Sequence, residues 1–206
     1  MKSTSTTEAR RHGENQNRVT AVIARDLVIE KSSKTLAADN DETPLKKMRY
    51  IMKQRLFSFG DEFLIKDETG NDVFLVDGKA LSLGNKLSFE NLNGNQLAYI
   101  KQEFPFASTY DIYKGEHLWA VVHKKAFTFF NCTFTVDVAG EDDLLAEGDF
   151  TDHEYVFTRG DKPIAQVSKQ WFTLSDTYGV DVDQQDDDVL ILASTVVIDL
   201  CCHNRK

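Results

Sequence analysis

The segment DDDVLILASTVVIDLCCHNRK, residues 186–206, decides the fold. It contains a twelve-residue run from Val189 to Leu200 that is apolar except for a few small or polar residues, and Asp199 lies inside it. A helix that spans a bilayer needs about 20 apolar residues, whereas about 10–14 indicate a buried core helix. A continuous apolar strand is usually only about 4–8 residues long. The acids at the start of the segment suit a helix N-terminus, so we predict a helix at about 187–202.

The chain from Tyr50 to Val182 is typical of successive β-strands. Apolar and polar residues alternate, and aromatic and β-branched residues are frequent. Glycine-containing turn signals separate the strands at intervals of 24, 21, 25 and 20 residues, which indicates recurring hairpins, and the glycines are Gly70, Gly94, Gly115, Gly140 and Gly160.

A helix that is apolar on every side must be buried. Because this helix follows about a dozen strands, we predict a mainly β fold, a closed antiparallel barrel of about twelve strands around a buried C-terminal helix. The helix would then fill the barrel and would not anchor the chain in a membrane.

Charge and aromatic content divide the chain into two parts. Residues 1–47 carry nine Lys/Arg, seven Asp/Glu and no aromatic residue. Residues 48–206 carry 15 Lys/Arg, 26 Asp/Glu and all 22 aromatic residues, for a net charge of −11. We therefore expect a disordered polar tail at 1–47 and a folded domain at 48–206. The acidic domain argues against nucleic acid as a partner.

The three cysteines, Cys132, Cys201 and Cys202, have no zinc-binding or disulfide-framework spacing. No secretory signal precedes the domain. These features predict an intracellular, cytoplasmic protein with reduced thiols, either in solution or peripheral at a membrane, and without a transmembrane segment.

Several longer motifs resemble the LURP-one-related family. They begin with MRYIMKQRLFSFGDEFLIKDETGNDVFLVDGKALSLGNKLSF and continue with GDFTDHEYVFTRG, AQVSKQWFTLSDTYGVDV and ILASTVVIDLCCH. That family is grouped with Tubby C-terminal-like and phospholipid scramblase proteins. The resemblance covers essentially all of 48–206 and implies a twelve-stranded barrel around a central C-terminal helix.

Catalytic motifs are absent from the sequence. There is no Gly-x-Ser-x-Gly elbow, P-loop or His-Glu-x-x-His. His117 and His123 share a strand but would lie roughly 20 Å apart, too far to bind one metal. We expect His153 to pair with a nearby acid or carbonyl. The sequence therefore predicts a non-enzymatic binding module.

An anionic lipid headgroup, similar to a phosphoinositide, is the first predicted ligand. Tubby domains bind such headgroups through basic side chains on the barrel, and the resemblance implies the same here. Lys53 and Arg55 share a strand face by two-residue periodicity, and Lys124 and Lys169 occupy matching places in two similar segments. The predicted ligand-binding residues are Lys53, Arg55, Lys124, Lys125 and Lys169. Ordinary outward or edge-strand lysines would give the same pattern.

Calcium is an alternative ligand. The stretch SDTYGVDVDQQDDD, residues 175–188, is rich in the oxygen ligands that Ca²⁺ prefers. It fails the EF-hand pattern, but it resembles the calcium segment proposed for scramblases, which would nominate Asp176, Asp181 and Asp183. The same acids would also suit a solvated loop before a helix N-terminus. A third reading is a scaffold that binds other proteins and needs no small ligand.

Overall fold

The structure is a computed structural model that describes residues 47–53, 62–78, 86–103, 108–126, 132–172 and 177–203. Leu45–Lys206 forms one compact unit. The described residues form twelve strands followed by one helix. In chain order they are β1 (Lys47–Lys53), β2 (Glu62–Asp67), β3 (Asp72–Asp77), β4 (Lys86–Asn91), β5 (Gln96–Gln102), β6 (Thr109–Lys114), β7 (His117–Ala126), β8 (Cys132–Val138), β9 (Leu144–Asp149), β10 (Glu154–Arg159), β11 (Lys162–Ser168), β12 (Thr177–Asp183) and α1 (Asp188–His203).

The strands form a closed antiparallel barrel. Each strand pairs with its neighbours in sequence, and β1 pairs with both β2 and β12. The β1–β12 ladder holds seven residue pairs, from Lys47 opposite Asp183 to Lys53 opposite Thr177. Closure therefore joins the first and last strands of the domain and leaves no strand edge unpaired in the described barrel.

α1 is enclosed by the barrel. Eleven consecutive residues, from Leu190 to Leu200, are buried, and one turn of helix takes only about 3.6 residues. Every face of the helix is therefore covered. Alternate residues of the strands supply the surrounding wall, as Tyr178, Val180 and Val182 of β12 do, each with no exposed surface.

Asp187 caps the start of α1. Its Oδ1 accepts hydrogen bonds from the backbone N–H groups of Val189 at 3.0 Å and Leu190 at 3.3 Å. Aspartate is among the preferred N-cap residues because it satisfies amides that lack a partner within the helix. The run of acids before the apolar segment thus fixes where the helix begins.

The turns that glycine was predicted to make are present. The five glycines that mark the predicted turns all have positive φ, between 58° at Gly160 and 87° at Gly70. At Gly70 the turn is closed by Asp67, whose Oδ1 accepts from the N–H groups of Thr69 and Asn71, each at 2.9 Å. The Thr69 hydroxyl donates to the same oxygen at 2.7 Å, and this hydrogen bond, together with those from the N–H groups, lowers the pKa of the Asp67 carboxyl.

The predicted fold is confirmed: a mainly β, closed twelve-stranded barrel with a buried C-terminal helix. The helix occupies 188–203, one residue from the predicted limits at each end. The predicted tail at 1–47 lies outside the described residues except for its last residue. Within the described part of the chain, no helix combines the length and apolar character needed to cross a bilayer.

Candidate functional site

The two ends of the barrel differ in charge. The acidic end is formed by the short turns and strand termini at 67–72, 91–96, 114–117, 138–144, 159–162 and 183–188. These segments contain twelve Asp/Glu and only three Lys/Arg. The three cations of these segments are all paired: Arg159 with Glu141 and Asp186, Lys162 with Asp183, and Lys114 with Asp187. Lys47, which begins β1 at the same end, forms no ion pair within the described part of the chain.

The opposite end, which we call the lysine end, is where β1, β3, β5, β7, β9 and β11 finish and where α1 also finishes. Antiparallel order brings all four described lysines of the predicted ligand site to this end, since Lys53 closes β1, Lys124 and Lys125 lie near the end of β7, and Lys169 follows β11. The fifth predicted residue, Arg55, lies outside the described residues. Lys53, Lys125 and Lys169 form no ion pair within the described part of the chain.

Lys124 differs from the other lysines because it faces the barrel interior. It continues the inward row of Ala120 and Val122, and its Nζ lies 5.6 Å from the ring centre of Phe134. The same Nζ lies 4.0 Å from Sγ of Cys202 near the end of α1. This lysine therefore lies at the mouth of the barrel, whereas Lys53 and Lys125 project from the outer face.

Two further lysines of this end were not singled out from the sequence. Lys86 and Lys101 lie directly opposite each other on β4 and β5. Nζ of Lys101 is neutralised by Oε1 of Glu103 at 2.8 Å, and this contact raises the pKa of Lys101. Their proximity depends on strand register, which single-strand patterns do not reveal.

The predicted calcium residues lie at or towards the acidic end. Asp181 binds the Arg49 guanidinium through both oxygens, at 2.6 and 2.8 Å. Asp183 lies 3.3 Å from Nζ of Lys162 and also accepts from the Gln185 N–H. Asp176 lies outside the described residues. The two described carboxylates thus have cationic partners, and calcium binding stays a prediction.

Arg49 and Asp181 belong to a covered patch on the outside of β12. The Arg49 guanidinium stacks 4.3 Å from the Trp171 ring centre. Trp171 in turn lies over Gly179, where an added Cβ would come within 2.5 Å of the ring. This packing explains why Gly179 and Asp181 are buried although they face away from the barrel core.

A group of titratable side chains lies inside the barrel near the end of α1. Asp199 is buried and its Oδ2 accepts a hydrogen bond from Tyr178 at 2.5 Å, while its Oδ1 lies 3.1 Å from Nε2 of His153. The His153 ring stacks between Tyr178 and His203, with ring centres 4.2 and 4.6 Å away. Burial, together with Asp199, raises the pKa of Tyr178 far above its usual range.

The expected partner of His153 is therefore an acid, Asp199, but sequence reasoning did not identify which acid. His153 is also the one non-glycine residue with positive φ, 54°, among the described residues. One part of this group could have been found from the sequence: Asp199 and His203 are four residues apart, a spacing that places both side chains on one side of a helix.

The comparisons with known proteins cover most of the chain. The model of the family described as LURP-one-related matches residues 48–199. The protein YxjI of Bacillus subtilis (strain 168) is 30% identical over 157 residues, which span 76% of this chain and 94% of YxjI.

A crystal structure of an Arabidopsis thaliana protein superposes with a TM-score of 0.57 at 20% identity, over 78% of this chain and 93% of that one. At this level of identity the likeness supports the fold, namely the twelve-stranded barrel and its C-terminal helix. The family match, the bacterial relative and the shared barrel agree with the motifs recognised in the sequence: the chain belongs to the LURP-one-related family.

Proposed function

We propose that this protein is a non-enzymatic binding module that recognises an anionic, phosphorylated lipid headgroup at the lysine end of the barrel. The observation that carries the proposal is the grouping of Lys53, Lys124, Lys125 and Lys169 at one end of the barrel, while the excess of acids lies at the other. Family membership and the barrel fold favour a binding module, and the charge distribution suggests which end binds.

The pairing of the cations supports this choice of end. At the acidic end each lysine and arginine within the turn segments has a carboxylate partner. Lys53, Lys125 and Lys169 have none among the described residues, so their ammonium groups can bond to phosphate oxygens. The separation of charge would also orient the protein, because a negative membrane surface attracts the lysine end and repels the acidic end.

Co-sedimentation of the full chain with vesicles tests the proposal. The vesicles contain phosphatidylcholine with or without phosphatidylinositol bisphosphate, at low and at physiological salt. We expect binding that requires the anionic lipid and weakens with salt. Because each lysine near an anionic surface contributes about 1 kcal/mol, Lys53→Glu should weaken binding by about fivefold to thirtyfold.

Lys47→Glu is the matched control. Lys47 is an exposed lysine on the same strand as Lys53, but at the acidic end, so the two variants change the net charge equally. Equal weakening by both variants would show that only the net charge matters and would reject the lysine end as the site. Absence of binding by the folded wild-type chain would reject lipid recognition altogether.

The calcium-responsive and protein-binding alternatives have less structural support. Both oxygens of Asp181 already bond to Arg49, and displacing a guanidinium that makes two hydrogen bonds would oppose calcium binding. The same vesicle assay with Ca²⁺ or a chelator separates the alternatives. Sedimentation that depends on Ca²⁺ and is lost in Asp183→Asn, but not in Lys53→Glu, would favour calcium.

A further inference from the structure

Three side chains with metal-binding atoms meet where α1 leaves the barrel. His153 comes from the turn between β9 and β10, and Asp199 and His203 come from successive turns of α1. One ligand atom from each side chain lies within 4.8 Å of the others. Oδ1 of Asp199 lies 3.1 Å from Nε2 of His153 and 3.9 Å from Nδ1 of His203.

Neighbouring groups orient these ligand atoms. The Thr151 carbonyl can only accept, so Nε2 of His203, 3.3 Å away, must donate to it. In the neutral ring Nδ1 is then an unprotonated acceptor on the side of Asp199. Tyr178 donates to Oδ2 of Asp199 and leaves Oδ1 for another partner. In metal sites of proteins, a histidine ligand commonly donates its other ring N–H to a carbonyl, and a carboxylate ligand commonly accepts a further hydrogen bond. The contacts with Thr151 and Tyr178 are of these two kinds.

The atoms that face one another are unsatisfied. His153 is fully buried and Asp199 is 1% exposed, yet neither nitrogen of His153, nor Oδ1 of Asp199, nor Nδ1 of His203 has a hydrogen-bond partner of good geometry among the described residues. The 3.1 Å contact of His153 with Asp199 is an ion-pair distance without that geometry. Buried polar atoms are rarely left unpaired, and a bound ion is one of the recognised reasons when they are.

We propose that His153 Nε2, Asp199 Oδ1 and His203 Nδ1 bind a divalent transition-metal ion of the Zn²⁺ type. Two imidazoles and one carboxylate suit such an ion, whereas Ca²⁺ and Mg²⁺ prefer oxygen ligands alone. A tetrahedral Zn²⁺ ion with ligand bonds of about 2.0–2.2 Å separates its ligands by about 3.4 Å. The contacts at 3.1 and 3.9 Å bracket that separation.

The ion would tie the end of α1 to the β9–β10 turn, with water as a fourth ligand. The His203 side chain is 22% exposed, which gives the ion a route from solvent. The near-parallel stack of the two imidazoles, 8° between planes, requires one ring to tilt so that both nitrogens point at one ion. His203 lies in the last turn of the helix and is the more exposed of the two rings, so it is the ring that would tilt, with Nε2 kept at the Thr151 carbonyl. This site is independent of the proposed lipid function.

Titration calorimetry of the chelator-treated full chain with Zn²⁺ tests the inference, together with thermal unfolding. We expect one ion per chain and a higher unfolding temperature, because a ligand that binds only the folded state stabilises it. His203→Gln removes the most accessible ligand and should weaken Zn²⁺ binding by at least about tenfold. His123→Gln is the matched control, since His123 also lies beside a carboxylate, Asp137 at 3.3 Å, but on the surface.

Co²⁺ absorption identifies the ligands. We expect visible bands typical of four-coordinate nitrogen and oxygen ligation that disappear in His203→Gln. A strong near-ultraviolet thiolate band would show that cysteines bind the ion and would overturn the inference. So would Zn²⁺ binding that is unchanged in His203→Gln, or the absence of any heat and any thermal shift for a wild-type chain that circular dichroism shows to be folded.

Discussion

The enclosure of α1 predicts that leucines on opposite sides of the helix are equally important for stability. Leu190 and Leu192 are two residues apart, which places their side chains about 200° apart around the helix axis. Both are buried, at 2% and 0% exposed. A helix docked on the outside of a sheet would bury only one of these faces.

The expected loss in the free energy of unfolding follows from the burial of the two leucine side chains. Leu→Ala removes three carbon atoms, about 2.4 kcal/mol at roughly 0.8 kcal/mol per buried methylene group. The cavity that remains adds to this loss, so each of Leu190→Ala and Leu192→Ala should lower the free energy of unfolding by about 3–4 kcal/mol. For a domain of this size each variant should also unfold roughly 10 °C lower.

Urea unfolding followed by tryptophan fluorescence measures both losses, and circular dichroism checks that the variants start from the same fold. Leu64→Ala is the control, because Leu64 is 42% exposed on β2 and its truncation should cost less than about 0.5 kcal/mol. A loss below about 1 kcal/mol at either Leu190 or Leu192 would refute the enclosure of the helix by the barrel.

The covered patch on β12 and the thiol near the end of α1 give two further predictions. Gly179→Ala should displace Trp171, since the new Cβ would lie 2.5 Å from the ring. In a background that lacks Trp119, so that only Trp171 emits, Gly179→Ala should shift the fluorescence emission to longer wavelength. An unchanged emission spectrum would contradict the close packing of Trp171 on Gly179. Burial raises the pKa of the Cys201 thiol to about 12 from an ordinary value of 9.0. Since the unfolded chain then loses its thiol proton first, the wild type should lose about 1.4 kcal/mol of stability between pH 8 and pH 10 relative to Cys201→Ala. If the free energy of unfolding changed equally with pH in the wild type and in Cys201→Ala, the thiol would have the same pKa in the folded and the unfolded chain, and the prediction would be wrong.

The barrel and its helix could be predicted from the sequence because their signals are local. The length of the apolar run at 189–200 excludes a membrane span and a single strand, and its lack of a polar face requires enclosure. The glycine turns mark hairpins without reference to any distant residue. A helix that must be enclosed and a series of hairpins together imply a sheet that closes on itself, and the pairing of β1 with β12 follows from that.

The sites depend on contacts between distant segments, so the sequence revealed less of them. Lys124 and Lys169 occupy matching places in two similar sequence segments, but only strand direction places them at one end of the barrel with Lys53. Asp181 looks like an available oxygen ligand until Arg49, 132 residues away, is seen beside it. His153 and Asp199 are 46 residues apart and meet only because the helix passes through the barrel.

The pairing of β1 with β12 also bears on how the chain is made. The first strand of the barrel can pair with β2 early, but its second partner, β12, exists only once residues 177–183 have been made, and the core is filled only when α1 follows. Until then the inner wall faces water, and the contacts that close the fold span most of the domain. Folds with such long-range contacts form slowly. During synthesis the barrel therefore cannot close before residues 177–203 have been made, and until then its apolar inner wall is prone to aggregation.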